Sequence, residues 1–413
     1  MDGAPAEVAY VWVWLPGADT PVPAGRLDSD GRRILFSYGR RYVDRPDSIS
    51  LYGPELPLRR GEIPPLSGEI AGCIADAGPD AWGRRVIEHR RTGAATDFGL
   101  LDYLLQSGSD RIGALDVQAS PADYTPRGID ASSLDDLLRA AEAVDEGRPL
   151  PPALDQALLH GSSVGGARPK ALLHDGPRRL IAKFPSSTDS YPVVRGEFVA
   201  MELARRAGLD VAGVSLVRAL DRHALLVERF DRTPAGHRRA LVSALTILEL
   251  HDADGMAGRY ATYVDLAHHI VAGFTEPTDS LRELFARLIF NILVGNTDDH
   301  ARNHAAFWDG VALTLTPAYD IVPQLRTGDV AAQAMAYGPD GERRSQVARA
   351  IDAAPGYRLD RAEAQAIVDA QVAVIRGDWD EVCDQAELTA AEREQLWGRQ
   401  VLNAYSLEGH RPS

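Results

Sequence analysis

Asn296-Thr297-Asp298-Asp299-His300-Ala301-Arg302-Asn303 is the stretch on which the reading of this chain turns. Immediately before it, Leu281, Leu284, Phe285, Leu288, Ile289, Ile292 and Leu293 recur at i, i+3, i+4, i+7, i+8, i+11 and i+12, the stripe of a buried amphipathic helix. Thr278-Asp279-Ser280 offers capping residues for that helix, and Gly295 its end. A dense polar loop carried at the end of a core helix places chemistry on a rigid support. Asp298 and Asn303 stand five apart, a spacing that ordinary loop residues also produce by chance. Its meaning depends on what the rest of the chain supplies, and in which order.

The 413 residues have room for several structural units, and 45% apolar with 25% charged residues is an ordinary globular composition. A formal charge of -15 argues against a broad surface for nucleic acid or anionic membrane, while leaving room for a local basic cleft. Cys73 and Cys383 are too few for a disulfide framework and too far apart for a metal motif, which fits a reducing compartment. Met1 to Pro5 shows no basic-then-apolar leader, and no apolar run approaches the ~20 residues of a membrane span. A cytoplasmic protein is the expectation.

From the amino terminus, Val8 to Leu15 reads as a buried strand, Asp28-Ser29-Asp30-Gly31 as a turn and Ile34 to Tyr38 as the returning strand. The segment Ile70 to Arg91 is more helical. Within it, Pro79-Asp80-Ala81-Trp82-Gly83-Arg84-Arg85 starts or interrupts a helix whose basic end reads as solvated rather than as a binding patch. Turn-forming residues from Ala119 to Gly128 mark a boundary, a helix is expected from Leu134 to Ala143, and Gly147 to Pro152 is a second linker. The expected organisation is a β-rich module over 1–120, a mixed unit over 121–239 and a helical one over 240–413.

The middle unit holds His160-Gly161-Ser162-Ser163-Val164-Gly165-Gly166-Ala167-Arg168-Pro169-Lys170. Its glycines allow backbone N–H groups close to a phosphate and its cations neutralise charge, although a plain hairpin turn satisfies the same residues. Leu180 to Pro185 reads as a strand with Lys183 among apolar neighbours, and Val193 to Ala207 as a helix with Glu197 on the inward face of Val194, Phe198 and Met201. A buried acid needs a partner, and Lys183 is the obvious one. His223 to Arg232 is a strand running into a polar connection, and Ala312 to Pro317 a strand that delivers Asp320. His268-His269 sits in a helix as a structural or solvated pair, and Thr389-Ala390-Ala391-Glu392 is a capping box.

A glycine-rich loop, a strand lysine, a helical glutamate, a strand-end connector, D-x-x-x-x-N and a final aspartate follow the order of a two-lobed phosphotransferase. The chain resembles the HipA-type serine/threonine kinases, toxin members of bacterial toxin-antitoxin pairs. The resemblance is carried by Ser162 to Lys170, Val227-Glu228-Arg229-Phe230-Asp231-Arg232, Asn296 to Asn303 and Pro317-Ala318-Tyr319-Asp320. Pro79 to Arg85 and Arg111-Ile112-Gly113-Ala114-Leu115 extend it into an amino-terminal accessory module. It implies an α+β, two-lobed protein-kinase-like fold with a β-rich accessory domain and an all-helical carboxy-terminal lobe.

It also implies roles. Asp298 would take the proton of a substrate hydroxyl or orient it, and Asn303 and Asp320 would hold Mg²⁺. Lys183, paired with Glu197, would contact the phosphates of ATP under a cover formed by Gly165, Gly166, Ala167, Arg168, Pro169 and Lys170. Glu228, Arg229 and Phe230 would line the adenine site, and His300, Arg302 and Tyr319 would join the nucleotide pocket. Ser163 stands where such kinases phosphorylate and inactivate themselves. The family implication continues to an aminoacyl-tRNA synthetase as substrate, most familiarly the glutamyl enzyme, with inhibition of translation and persistence as the outcome. A small helix-turn-helix antitoxin of HipB type is the implied partner, with DNA reached through it. Family members often carry glycine where this chain has Asp299, so replacement of Asp299 by glycine is expected to be tolerated and replacement of Asp298 is not. Two rivals remain: a metal-dependent hydrolase built on Asp298, Asp299, His300, His304 and Asp320, with His300 and His304 at i, i+4 if the loop continues as a helix, and a silent kinase-fold scaffold that binds a repressor.

Overall fold

A computed structural model describes residues 5–89, 98–128, 133–150, 158, 166–251, 260–326 and 328–411. The chain divides into two compact units. The first gathers residues 1–188, 217–242 and 307–311, and the second residues 189–216, 243–306 and 312–413.

In the first unit, strands β1 (Val8–Val13), β2 (Val22–Ser29), β3 (Ile34–Tyr38), β4 (Glu62–Ile63) and β5 (Leu115–Gln118) form an antiparallel sheet in the order β4-β3-β2-β1-β5. The returning partner of β1 is β2, with Val13 opposite Val22, and the Asp28 to Gly31 turn joins β2 to β3 instead. Pro23 and Gly25 break the alternation that would have revealed β2 in sequence. Gly25 is required there, because a Cβ would overlap the Phe36 ring and the Ser37 carbonyl across the ladder.

A second sheet runs β6 (Lys170–Asp175), β7 (Arg178–Lys183), β9 (Arg222–Glu228) and β8 (Val214–Ala219) in that spatial order. β6 and β7 are a hairpin with Asp175 opposite Arg178, and Gly176 supplies the positive φ of 55° that its two-residue loop needs. Helices α1 (Ala81–His89) and α3 (Leu134–Asp145, capped by Ser133) share one core with this sheet, α2 (Leu100–Gln106) lying between them in sequence. Trp82, Val86, Leu137, Leu138, Ala141 and Val144 pack with Leu180, Ala182, Phe184, Ala224 and Leu226. By compactness, a helix from the 1–120 block thus belongs with strands from the 121–239 block.

The second unit is built on helices α4 (Val193–Arg206), α5 (Tyr263–Gly273), α6 (Pro277–Val294), α7 (Val347–Ala353), α8 (Arg361–Gln385) and α9 (Ala390–Leu396). α6 is its axis: Leu281, Leu284, Phe285, Leu288, Ile289, Phe290, Ile292, Leu293 and Val294 are all fully buried. Burial on this scale, at ~25 cal/mol per Å² of apolar surface, makes the helix a fixed support for whatever follows it. The helix begins at Pro277 with Glu276 as N-cap, one turn earlier than Thr278-Asp279-Ser280 suggested, because proline at the first position needs no N–H partner. It ends at Gly295, with φ 71°, where a Cβ would meet the Gln400 carbonyl oxygen at 2.7 Å. The Thr389 capping box is present, and so is one at Asp360 and Glu363. Apart from short strands β10 (Leu241–Ser243), β11 (Ala305–Trp308) and β12 (Leu313–Leu315), the described residues of 240–413 are helical or irregular.

Candidate active site

The loop after α6 is fixed before it reaches its acids. The Asn296 side chain donates to Asn291 Oδ1 at 3.0 Å and its backbone N–H to Asn291 O at 2.8 Å. Gln324 and Ala334 donate their N–H groups to Gly295 O and Thr297 O. Two adjacent aspartates then face different ways. Asp299 is buried, receives the Tyr263 hydroxyl from α5, and lies 2.9 Å from His304 Nε2. Asp298 is exposed. The adjacent residues therefore have separate tasks: Asp299 anchors the loop from beneath while Asp298 stands on its surface.

Beyond them, Ala301–Asn303 makes a single 3-10 turn. Asn303 donates its N–H to His300 O at 2.8 Å and its side-chain amide nitrogen to Asp298 O at 3.4 Å. That amide bond closes the D-x-x-x-x-N stretch into a compact loop and turns Asn303 Oδ1, a hard oxygen ligand, away from the bond. The loop does not continue as a helix: His304 is extended, at φ -120° and ψ 137°, so His300 and His304 do not share a helical face. Among the described residues no cluster of three or more His, Cys, Asp or Glu could hold a metal. The all-protein metal cage of the hydrolase reading is thus missing. Mg²⁺ bound with a nucleotide needs less, one or two protein oxygens plus phosphates and water, and Asn303 with Asp320 fits that requirement.

Asp320 follows β12 in a left-handed backbone conformation, φ 61°. A non-glycine residue held there costs of order 1 kcal/mol, a strain that clusters at functional sites. Its segment is tied down by Ala318 N–H to Asp210 O and Ala212 N–H to Ala318 O. The Tyr319 hydroxyl donates to Arg302 O at 2.7 Å, joining this segment to the catalytic-type loop. Burial first, then the charges of Asp320 and Asp299, hold the Asp298 carboxyl above its ordinary range against the pull of His300. Asp299 goes the other way: burial alone would raise it, but the His304 imidazole and the Tyr263 hydroxyl outweigh burial and hold it below 3.8. His300 Nδ1 is buried with no hydrogen-bond partner among the described residues, an unused polar atom next to Asp298.

In the first unit, Ser163 and Gly165 lie outside the described residues. Gly166 has φ 113°, and a Cβ on it would overlap the Lys170 ammonium. Lys170 faces Lys183 directly across the β6–β7 ladder. Like charges on opposed residues are unfavourable by themselves, and a bound anion removes the cost. The segment from Gly166 to Lys170 is gripped by the Pro79 to Arg85 stretch. Asp80 Oδ2 accepts the Gly166 N–H at 2.5 Å, Trp82 N–H donates to Gly166 O at 3.2 Å, and Trp82 Nε1 donates to Lys170 O at 2.9 Å. Arg85 lies over the Trp82 ring at 5.3 Å and donates to Ala167 O at 2.9 Å. Arg85, in the middle of α1, thus has the indole ring as a platform and the loop carbonyl as an acceptor, while Arg90 and Arg91 of the basic end expected to be solvated lie outside the described residues.

Glu228, at the end of β9, is opposite Leu180 and pairs with Arg178 at 2.9 Å on the surface. Arg229 is buried and its guanidinium is committed. It donates to Asp231, to Asp110 O and to Arg111 O, with Arg232 bound to the same acids and carbonyls. Burial opposes this charge, but Asp110 and Asp231 outweigh it and raise the Arg229 pKa. For a nucleotide at Glu228 to Phe230 the Arg229 side chain is not available, and its backbone N–H already donates to Arg179 O at 2.9 Å. Lys183 falls in the first unit and Glu197, buried on α4, in the second. Sequence reasoning did not find Tyr263, His304 or Asn291 as supports of the loop, nor Asp80 and Trp82 as the grip on the glycine segment. Spacing carries no signal for contacts made from a different helix.

The sequence profile of the HipA-like C-terminal domain matches residues 162–379, more than half of the chain, and that of the HipA N-terminal domain matches residues 13–118. The chain belongs to the HipA family. Among HipA-family relatives, two proteins of Sinorhizobium fredii named "Putative kinase Y4dM" and "Putative kinase Y4mE" are similar to it. The first is 32% identical over 329 residues, 73% of this chain and 75% of the relative. The second is 29% identical over 337 residues, 72% and 74%. The serine/threonine-protein kinase toxin HipA of Shewanella oneidensis is 28% identical over 184 residues, 39% of this chain and 42% of that one. The solved complex of Shewanella oneidensis HipA, HipB and operator DNA contains a chain that superposes with a TM-score of 0.68 at 20% identity, covering 95% and 96% of the two chains. The fold is therefore that of HipA, mixed helix and sheet with a kinase-like core. No helix among the described residues is long and apolar enough to cross a membrane.

Proposed function

We propose that this HipA-family chain is an ATP- and Mg²⁺-dependent protein serine/threonine kinase. The observation that carries the reading is the division between adjacent carboxylates: an exposed Asp298 with a raised pKa on a loop that buried Asp299 anchors, next to Asn303 and Asp320. Asp298 orients the substrate hydroxyl and accepts its proton as the oxygen attacks the γ-phosphorus, and ADP leaves with the bridging oxygen. Its raised pKa makes it a better proton acceptor than an ordinary surface aspartate. Asn303 Oδ1 and the Asp320 carboxylate would hold Mg²⁺, which when bound would supply charge neutralisation for the transferred phosphoryl group. Lys183 and Lys170 neutralise the phosphates beneath the Gly165 to Lys170 cover. The main chain of Glu228 to Phe230 meets the adenine, and His300 Nδ1 is free to meet a nucleotide or a water.

The same reading extends to regulation and partners. Ser163 is the autophosphorylation site, because a dianionic phosphate in a loop that must cradle phosphates repels them. The protein substrate is an aminoacyl-tRNA synthetase, the glutamyl enzyme being the first to test, and its modification arrests translation in the cytoplasm. The partner is a small helix-turn-helix antitoxin of HipB type that carries the DNA contact, a reading supported by the likeness to a chain solved with HipB and operator DNA.

Transfer from labelled ATP into a fractionated cytosolic extract tests the reading. The wild-type chain labels a discrete protein band and Asp298→Gln labels none. Equal labelling by both, or none by either together with no phosphate on Ser163 by mass spectrometry, removes the kinase reading and leaves the scaffold.

A further inference from the structure

A cavity of about 310 Å³ opens in the first unit, and its lining is dominated by guanidinium groups: Arg127, Arg179, Arg232 and Arg238, with Trp14 and Ser109. None of these has a role in the reading above. Their charges do not balance. Arg229 and Arg232 are matched by Asp110 and Asp231. Arg111 and Arg127 share the single carboxylate of Asp116, at 2.7 and 3.0 Å. Arg238 donates only to Ser109 O, through both Nη atoms at 3.1 Å, and lies 3.5 Å from the Trp14 ring centroid. Arg179 donates only to the carbonyls of Gly176 and Arg178. Among the described residues neither Arg238 nor Arg179 has a carboxylate within ion-pair distance. Asp19, on the rim, faces solvent and pairs with His237 at 3.2 Å.

Six arginines, at 111, 127, 179, 229, 232 and 238, thus meet four carboxylates, the buried Asp110, Asp116 and Asp231 and the rim Asp19, an excess of two positive charges. The rest of the chain is acidic, with a net charge of -15, so this cluster runs against the composition. Burial, and next the charge of Arg232, pull the Arg238 guanidinium down to about 10, which leaves it protonated at neutral pH but under-compensated. Desolvated cations without partners are costly, and a fork of N–H donors matches the oxygens of a phosphate.

We propose that this cavity binds a phosphate monoester dianion, held by Arg238 and Arg179 with Arg127 on the wall. Its volume, at the small end of ligand sites, admits a phosphate on a compact organic group. The inference does not rest on the kinase reading, since none of the three arginines belongs to the proposed nucleotide or magnesium site.

The competing account is structural: Arg238 merely pins the Trp14 ring to the Ser109 carbonyl. Calorimetric titration of the full chain with glucose 6-phosphate and with inorganic phosphate, at matched ionic strength against sodium acetate, separates the two. Binding of both phosphates to wild type is expected, with the monoester tighter, and about tenfold or greater weakening in Arg238→Gln and in Arg179→Gln. The ATP-induced rise in Tm is expected to be unchanged in both variants. Arg179 bonds only to turn carbonyls and is half-buried, so its variant keeps the test open if Arg238→Gln misfolds. No phosphate binding by wild type, equal binding by wild type and Arg179→Gln, or acetate binding as tightly as phosphate would overturn the proposal.

Discussion

Asp298 and Asp299 are the same residue type at adjacent positions; burial raises both carboxyls, and at Asp299 the His304 and Tyr263 contacts outweigh it. A carboxyl whose pKa is raised on folding costs stability once it ionises, so Asp298→Asn should remove phosphate transfer and raise Tm slightly at pH 7. At an exposed position screening keeps the gain below ~1 kcal/mol. Thermal unfolding of the variant beside wild type measures it. Asp299 is held below its ordinary range, so it contributes stability above the unfolded value near 3.8, and that contribution is lost as pH falls through its lower folded value. Asp299→Gly, which the sequence reading expects to preserve transfer largely, is expected to cost about 3 kcal/mol of stability at pH 7, because it leaves Tyr263 and His304 buried without their shared acceptor. Urea unfolding tests this, and a variant as stable as wild type would show that the anchor is dispensable. The acid limb of the transfer rate should lie above 3.8, since Asp298 must be ionised to accept the proton.

At the level of elements, α1 acts as a clamp on the segment from Gly166 to Lys170 rather than as a surface helix. Trp82→Phe keeps the packed ring but deletes the bond from Nε1 to Lys170 O, so it should cost about 1 kcal/mol of stability and weaken ATP binding several-fold. Gly166→Ala adds both a strained backbone at φ 113° and an overlap with the Lys170 ammonium, and should abolish the ATP-induced rise in Tm. The two together distinguish a clamp that shapes the segment from a helix that only packs beside it. Sequence made α6 and the strand at Leu180 legible, because their apolar patterns are local properties. It did not reveal β2, whose Pro23 and Gly25 resemble a loop until β1 and β3 are placed on either side.

For the molecule as a whole, charge restricts what it meets unaided. A net charge of -15 disfavours non-specific attraction to DNA, so at physiological salt the chain should not shift operator DNA in a gel by itself. Adding a helix-turn-helix antitoxin of HipB type should produce the shift. A shift by the chain alone would mean that it reads DNA directly. The gel shift tests the proposed partner class, and the labelling experiment tests the proposed synthetase substrate.

By itself the sequence determined the helix and loop that present Asp298 and Asn303, and the family, since each is written in spacing, periodicity or contiguous motif. Tertiary structure alone decided which carboxylate is the anchor, which arginines are satisfied and which are left facing a cavity, and what holds the glycine segment. Those outcomes depend on desolvation and on partners brought from distant positions, Tyr263 and His304 to Asp299 or Trp82 to Lys170, and neither is encoded in the identity of a residue's neighbours along the chain. At Asn296 to Asn303 the two kinds of information meet: the spacing names the loop, and the burial of Asp299 assigns its parts.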